Sequence, residues 1–261
     1  MNTQIFKNSK LNFLELRYID KITQCEKIHL HDELTITAIK KGSLNILFTK
    51  QKEILKPKEL MIINNYIGHG ATLNEESKHG YVLYINKNYL EKLNLFYDKN
   101  YEHILYEDYY KNFIDLCELI FDENNSLLFK EENFVCFCLK IFDRFDDLSL
   151  ILHNTNSNLA YKIKEYLDNN YLEELSLEEL SIVFNLSIIH LIRVFKEVFG
   201  IPIHSYILNK KVHKAKELLL LNIPIVEVTL QSGFFDQSHL NRSFKRVFQI
   251  TPKQFQKNLK C

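Results

Sequence analysis

Two arginines and two lysines recur at matched places in this chain. Residues 190–201 read HLIRVFKEVFGI and, forty-nine residues on, residues 239–250 read HLNRSFKRVFQI, identical at eight of twelve positions. Wound as a helix, the first copy gathers Leu191, Val194, Phe195, Val198 and Phe199 into one apolar stripe and turns Ile189, Arg193 and Lys196 away from it. The second copy buries Leu240, Phe244, Val247 and Phe248, turns Ser238, Arg242 and Lys245 outward and keeps Gln237 and Asn241 at the flanks. Arginine donates twice to a guanine edge, Asn and Gln pair similarly with adenine, and apolar groups touch the thymine methyl. Lysines suit phosphates. Two copies of one such face call for a target with regularly repeated edges, and duplex DNA is such a target.

The elements that must position these faces follow from caps and breakers. A short helix precedes each copy, Leu177 to Phe184 and Ile225 to Ser232, which is the helix-turn-helix order; Glu179 matches Glu227 and Leu180 matches Val228. Ser176 and Glu179 form a capping-box pattern, Ser187 caps the next helix and Gly200 ends it. Pro202 opens a helix to about Leu221, roughly 28 Å long, against roughly 34 Å for one DNA turn. Pro224 and Glu227 begin another helix that Gly233 closes, and Thr251-Pro252 starts a last one.

The N-terminal half has a different period. From His29 to about Ile85 it is two, with Leu34, Ile36 and Ala38 alternating with Thr35, Thr37 and Ile39, then Leu44, Ile46 and Phe48 after Gly42, as for short strands in a sandwich or small barrel. From Lys87 the period becomes helical, with stretches at Glu107 to Phe121 and Leu127 to Phe145. The fold class expected is therefore α+β in two domains: residues 1–152, a linker at 153–158 (HNTNSN), and an all-α domain at 159–261. The all-α domain holds helix-turn-helix units at 176–200 and 224–249 joined by a long helix at 203–221.

Charge agrees with this division. The chain balances 33 Lys and Arg against 33 Asp and Glu, yet Ser181 to Cys261 carries 12 against 4, so the repeat lies in the basic end. The N-terminal MNTQIFKNSK lacks the apolar core of a signal peptide and no run approaches a membrane span, so a cytoplasmic, nucleoid-associated protein without a membrane partner is expected. Five cysteines without a C-x-x-C pair read as reduced packing residues, with Cys136 and Cys138 on different helix faces and Cys261 exposed and inert. No catalytic constellation is expected.

Residues 158–257 resemble the DNA-binding domain of the AraC/XylS family of bacterial transcription regulators. The resemblance rests on Gly233-Phe234, Phe244-Lys245 and Thr251-Pro252 with Phe255. It implies that outward side chains of both recognition helices read bases, which maps onto Ile189, Ile192 and Arg193, and onto Gln237, Ser238 and Arg242; Lys196, Asn241 and Lys245 complete the expected contact set. Departures are Gln249 for a common Gly, Ser181 and Thr229 for a common Ala, and Lys211 for a common Arg. With Ile189 and Ile192 at reading positions, the first helix is expected to recognise methyl groups or DNA shape more than hydrogen-bonding edges.

The segment from His29 to Glu33, with Lys41-Gly42, Pro57 and His69, resembles the cupin-like β-barrel that many family members carry as a sensor, followed by helices. Metal-binding cupins place a Glu where this chain has Thr35 and Ile36, and the usual Pro-Gly-Asp turn is Pro57-Lys58-Glu59. The resemblance implies that His29, His31, Glu33 and His69 line or buttress a pocket for a small effector, with no cofactor and no metal. Three imidazoles suffice for some metal sites, so a cupin-type metal-binding enzyme or metal sensor fused to a DNA-binding domain is the alternative. Another is an effector-independent regulator whose first domain only mediates protein interaction. Double-stranded DNA is the expected partner, the chain acting as an activator; a small-molecule effector, RNA polymerase and a second copy docked through helices within 108–145 are further candidates.

Overall fold

The computed structural model describes residues 3–20, 25–29, 31–48, 51–142, 157–248 and 250–258, and the chain divides into two compact units, Met1–Asp147 and Leu148–Cys261. Eight strands of the first unit form one antiparallel sheet: β1 (Thr3–Lys7), β2 (Leu14–Asp20), β3 (Cys25–His29), β4 (Leu34–Phe48), β5 (Lys52–Leu55), β6 (Leu60–Ile63), β7 (His69–Ile85) and β8 (Tyr101–Ile104). Their order is β1-β2-β7-β4-β6-β8, with β3 also paired to β7 and β5 to β4. The sheet starts earlier than the expected His29, and β8 interrupts the stretch after Lys87 whose period is helical.

The long pair β4 and β7 organises the sheet. Gly42, which reads as a break between short strands, lies inside one strand of 15 residues. Its φ of 88° and the register shifts between Ile39, Lys41 and Ser43 make it a bulge, so a single strand turns and serves two sets of neighbours. The first half of β4 is buried from Leu34 to Ile39 on both faces, Thr35 and Thr37 included, with Thr37 Oγ1 donating to the Tyr81 carbonyl at 3.1 Å, and helix α2 (Glu107–Phe121) packs at its end. Lys40 pairs with Glu118 at 2.7 Å and the Tyr110 hydroxyl donates to the Ile39 carbonyl at 3.2 Å, tying helix to strand.

Helices α1 (Lys87–Lys92) and α3 (Leu127–Phe142) complete the unit. The apolar surplus of α3 goes into its own unit: Phe134, Val135, Phe137 and Cys138 are buried, Phe137 against Phe113 and Phe134 against Phe13, which stacks on Tyr89. Among the described residues no large apolar side chain of α2 or α3 is exposed. The apolar residues of α2 and α3 are thus taken up within their own unit; residues 143–145 of the stretch expected to self-associate lie outside the described residues.

The second unit is helical: α4 (Ser157–Asn170), α5 (Leu177–Phe184), α6 (Ile188–Phe199), α7 (Ile203–Leu220), α8 (Ile225–Gln231), α9 (Gln237–Phe248) and α10 (Pro252–Asn258). Of the expected linker at 153–158, residues 153–156 lie outside the described residues, and Ser157 and Asn158 already open α4. Ala160, Ile163, Leu177, Leu180, Leu191 and Phe195 are fully buried in the first half of this unit. Val212, Ala215, Leu219, Val228, Leu240 and Phe244 form the core of the second half. Helix α7 packs on α4 and α6 at one end and on α8 and α9 at the other, so one rigid rod of 18 residues sets the spacing of the two halves.

Candidate nucleic-acid interface

The backbone repeats as the sequence does. Asn185 ends α5 and Gly233 follows α8, both in the left-handed region, with φ of 51° and 75°. The next residue in each copy sends its N–H back five residues: Leu186 to the Ser181 carbonyl and Phe234 to the Thr229 carbonyl, each at 3.0 Å. This is the turn that satisfies orphan carbonyls at a helix end and sends the chain sharply away. Each following helix is capped alike, Ser187 Oγ accepting the His190 N–H at 3.2 Å and Asp236 Oδ1 accepting the His239 N–H at 2.6 Å.

The second turn holds one residue more, Phe235, between its left-handed glycine and its cap. That residue is 91% exposed. Sequence reasoning missed it because an aromatic reads by default as core; the signal was the offset of forty-eight for Glu179 and Glu227 against forty-nine for the helices.

Arg193 and Lys196 of α6 and Gln237, Ser238, Arg242 and Lys245 of α9 are exposed, while Ile189 and Asn241 are intermediate. The two outward faces differ in charge: Glu197 of α6 corresponds to Arg246 of α9, and both are exposed. Ile192 is a correction. It is 4% exposed: on the helical wheel it falls midway between buried Ile188 and exposed Lys196, and the folded unit takes it inward. A side chain so placed stabilises the helix and does not meet a ligand. Its counterpart Asn241 is half-buried for the same reason.

Lys211 has a structural task. It stands on α7, is pushed below the ordinary lysine range by burial, and donates from Nζ to the Gly233 carbonyl at 3.1 Å, fastening the connecting rod to the second turn. His239 packs edge-on to Phe234 at 5.1 Å, a packing role.

The family profile described as "Helix-turn-helix domain" matches residues 180–258. The HTH-type transcriptional regulator YbfI of Bacillus subtilis is 26% identical over 222 residues, 81% of this chain and 80% of that protein. Residues 180–258 therefore hold a helix-turn-helix domain, and the chain is similar to HTH-type transcriptional regulators over most of its length. It is accordingly a DNA-binding regulator of transcription. The likeness of this chain to the bifunctional transcriptional activator and DNA repair enzyme AdaA of Bacillus subtilis is 34% over 94 residues, 36% of this chain and 44% of that one. An apo form of ToxT from Vibrio cholerae, carrying one substitution, aligns with 95% of this chain and 98% of its own at 14% identity and a TM-score of 0.41.

The residues expected around an effector come together in the first unit. The register places His29 of β3 opposite His69 of β7, and His31 lies two residues beyond His29. Ring centroids are 4.9 Å apart for His29 and His69, 5.1 Å for His31 and His69, and 5.9 Å for His29 and His31. His69 is 8% exposed, and burial lowers its pKa below the ordinary histidine range. His29 is exposed and Glu33 is intermediate, with its carboxylate 3.6 Å from His31 Nδ1. Among the described residues no helix is long and apolar enough to cross a membrane.

Proposed function

We propose that α5–α6 and α8–α9 are helix-turn-helix units that seat α6 and α9 in successive major grooves of one duplex, and that the chain activates transcription from that site. The carrying observation is the recurrence of turn, cap and outward Arg–Lys pair on two helices joined by α7, which spans about 27 Å at 1.5 Å per residue. In this reading Arg193, Arg242, Gln237, Ser238 and Asn241 meet base edges, Ile189 meets thymine methyls, and Lys196 and Lys245 meet phosphates. Phe235 adds an exposed apolar group at the start of α9. The first unit reports a small effector; RNA polymerase is the second macromolecular partner. The activator role named for AdaA supports activation over repression.

The two units contribute unequally. Helix α9 presents hydrogen-bonding groups and three exposed cations, whereas α6 offers Arg193 and Lys196 beside an acid, so α9 names bases and α6 supplies contact. Selection of bound duplexes from a random pool tests this. The expected motif has two half-sites about one helical turn apart, roughly 10 base pairs, with sharper base preference in the half read by α9. A single half-site, or an Arg242→Ala chain that binds the selected duplex as tightly as the parent, overturns it.

A further inference from the structure

We propose that His29, His31 and His69 form a site for one first-row transition-metal ion, held through three imidazole nitrogens and open on the side of His29. Their candidate ligand atoms all lie within 4.8 Å of one another. Small side-chain rotations bring such a set onto one ion at the usual metal–nitrogen distance of about 2.0–2.1 Å. The set is assembled by long-range pairing: β3 and β7 are adjacent in the sheet with His29 opposite His69, and the His31 ring lies 5.1 Å from that of His69.

The hydrogen bonds select the right tautomers. His69 Nδ1 lies 2.8 Å from the Ile67 carbonyl and His31 Nδ1 lies 3.0 Å from the Glu33 carbonyl. A carbonyl only accepts, so in both rings the proton is on Nδ1 and Nε2 carries the lone pair. That is the arrangement in which a backbone partner fixes a metal-binding histidine from behind. The Thr35 hydroxyl lies 3.3 Å from His31 Nε2, a long contact that an ion would replace. Tyr84 packs edge-on to the His31 ring at 5.3 Å and holds its plane.

The donor set narrows the ion. Imidazole suits Zn(II), Cu, Ni(II) and Fe, whereas Mg(II) and Ca(II) want oxygen. Three ligands leave at least one position open, here beside exposed His29 and the Glu33 carboxylate, so a small anion or water completes the shell. The absence of a carboxylate at Thr35 and Ile36 makes this an all-nitrogen set. As the effector of the first unit, the ion would deepen the regulatory reading and to that extent rest on it; the binding itself does not depend on DNA.

The test therefore uses metal alone. Metal-stripped full-length chain is titrated with Co(II), read by its visible absorption, then with Zn(II) as competitor, and metal content is measured after gel filtration. The expected result is one equivalent of Co(II) per chain, displaced by Zn(II). His31→Ala and His69→Ala should each weaken binding by more than about a hundredfold, beyond the upper end of what loss of an orienting partner costs. His103→Ala, which removes a histidine placed between Glu53 and Glu59, should leave it unchanged. Circular dichroism of the stripped variants separates a lost ligand from a lost fold, and His31→Gln serves as a second, better-tolerated ligand deletion. No uptake by the parent chain, or uptake that survives both alanine substitutions in folded protein, overturns the assignment, and DNA binding measured in parallel shows whether the regulator reading stands without it.

Discussion

Asn185 and Gly233 occupy the same place in the two repeats and adopt the same left-handed backbone, with φ of 51° and 75°. Residue type alone does not pair them, since one is Asn and the other Gly. Both are residue types that tolerate this region, and the equal bonds that follow them, Leu186 to Ser181 and Phe234 to Thr229, show that the turn geometry repeats. They differ in surroundings: a Cβ on Gly233 would lie 3.2 Å from both Leu172 Cδ2 and Lys211 Cε.

The two positions should therefore respond differently to alanine. Asn185→Ala should cost about 1 kcal/mol, the lower end of the penalty for a left-handed L-residue. Gly233→Ala carries the same penalty plus crowding against Leu172 and Lys211, and should cost about 2 kcal/mol or more. Urea unfolding followed by circular dichroism measures both; equal losses would mean that the contacts around Gly233 yield freely.

Ile192 and Arg193 are neighbours with opposite duties. Ile192→Ala should destabilise the chain by about 2–4 kcal/mol as a buried large-to-small change, while folded protein keeps its affinity for a selected duplex. Arg193→Ala should leave stability within about 0.5 kcal/mol and weaken binding by about 1–3 kcal/mol. Arg242→Ala should match or exceed it. Reduced affinity of folded Ile192→Ala at unchanged salt dependence would return Ile192 to the reading face.

Much of this arrangement was legible because helix periodicity is local. The stripe of Leu191, Phe195, Leu240 and Phe244, the Ser176–Glu179 capping box and the cap at Ser187 all depend on residues within one or two turns, and the structure holds them as read. Ile192 lies at the border of its stripe, where a step of 100° does not decide between core and surface; only the packing of the folded unit does. The sheet was legible in period but not in extent. Gly42 has the type of a strand end, and nothing local says that β4 continues through it as a bulge. The meeting of His29 with His69 depends on the pairing of β3 with β7, a long-range register that spacing cannot give.

Asp168 ties α4 to α7 and should give the helical unit an acid limit. Its carboxylate accepts from Lys164 Nζ at 2.6 Å, from the Tyr206 hydroxyl at 2.6 Å and from Lys210 Nζ at 3.0 Å. Burial raises its pKa, but the three donors outweigh that and bring it from 3.8 down to about 2. A carboxyl depressed in the fold contributes stability that is present above its unfolded value and is lost as pH falls through the folded one. Asp168→Asn should cost about 1 kcal/mol or less at neutral pH, since the group is part-exposed. The difference from the parent should shrink as pH falls from about 4 toward 2. Melting curves across that range check it; a gap that stays constant would assign the loss to packing instead of charge.

Phe235 offers the most specific test of how the second unit reads DNA. It is the residue by which the second turn exceeds the first, it is 91% exposed, and it stands two residues before Gln237, where the N-terminal residues of a recognition helix meet base edges. An aromatic left in water at that point gains most by covering a thymine methyl. Phe235→Ala should lower affinity for the selected duplex by about 1–2 kcal/mol with no loss of salt dependence, because no phosphate contact is removed. Replacing individual thymines by deoxyuridine should reproduce the loss at one position in the parent, and in Phe235→Ala that same replacement should have no further effect. Binding energies that add fully, with the deoxyuridine loss undiminished in the variant, would show that Phe235 and the methyl do not meet.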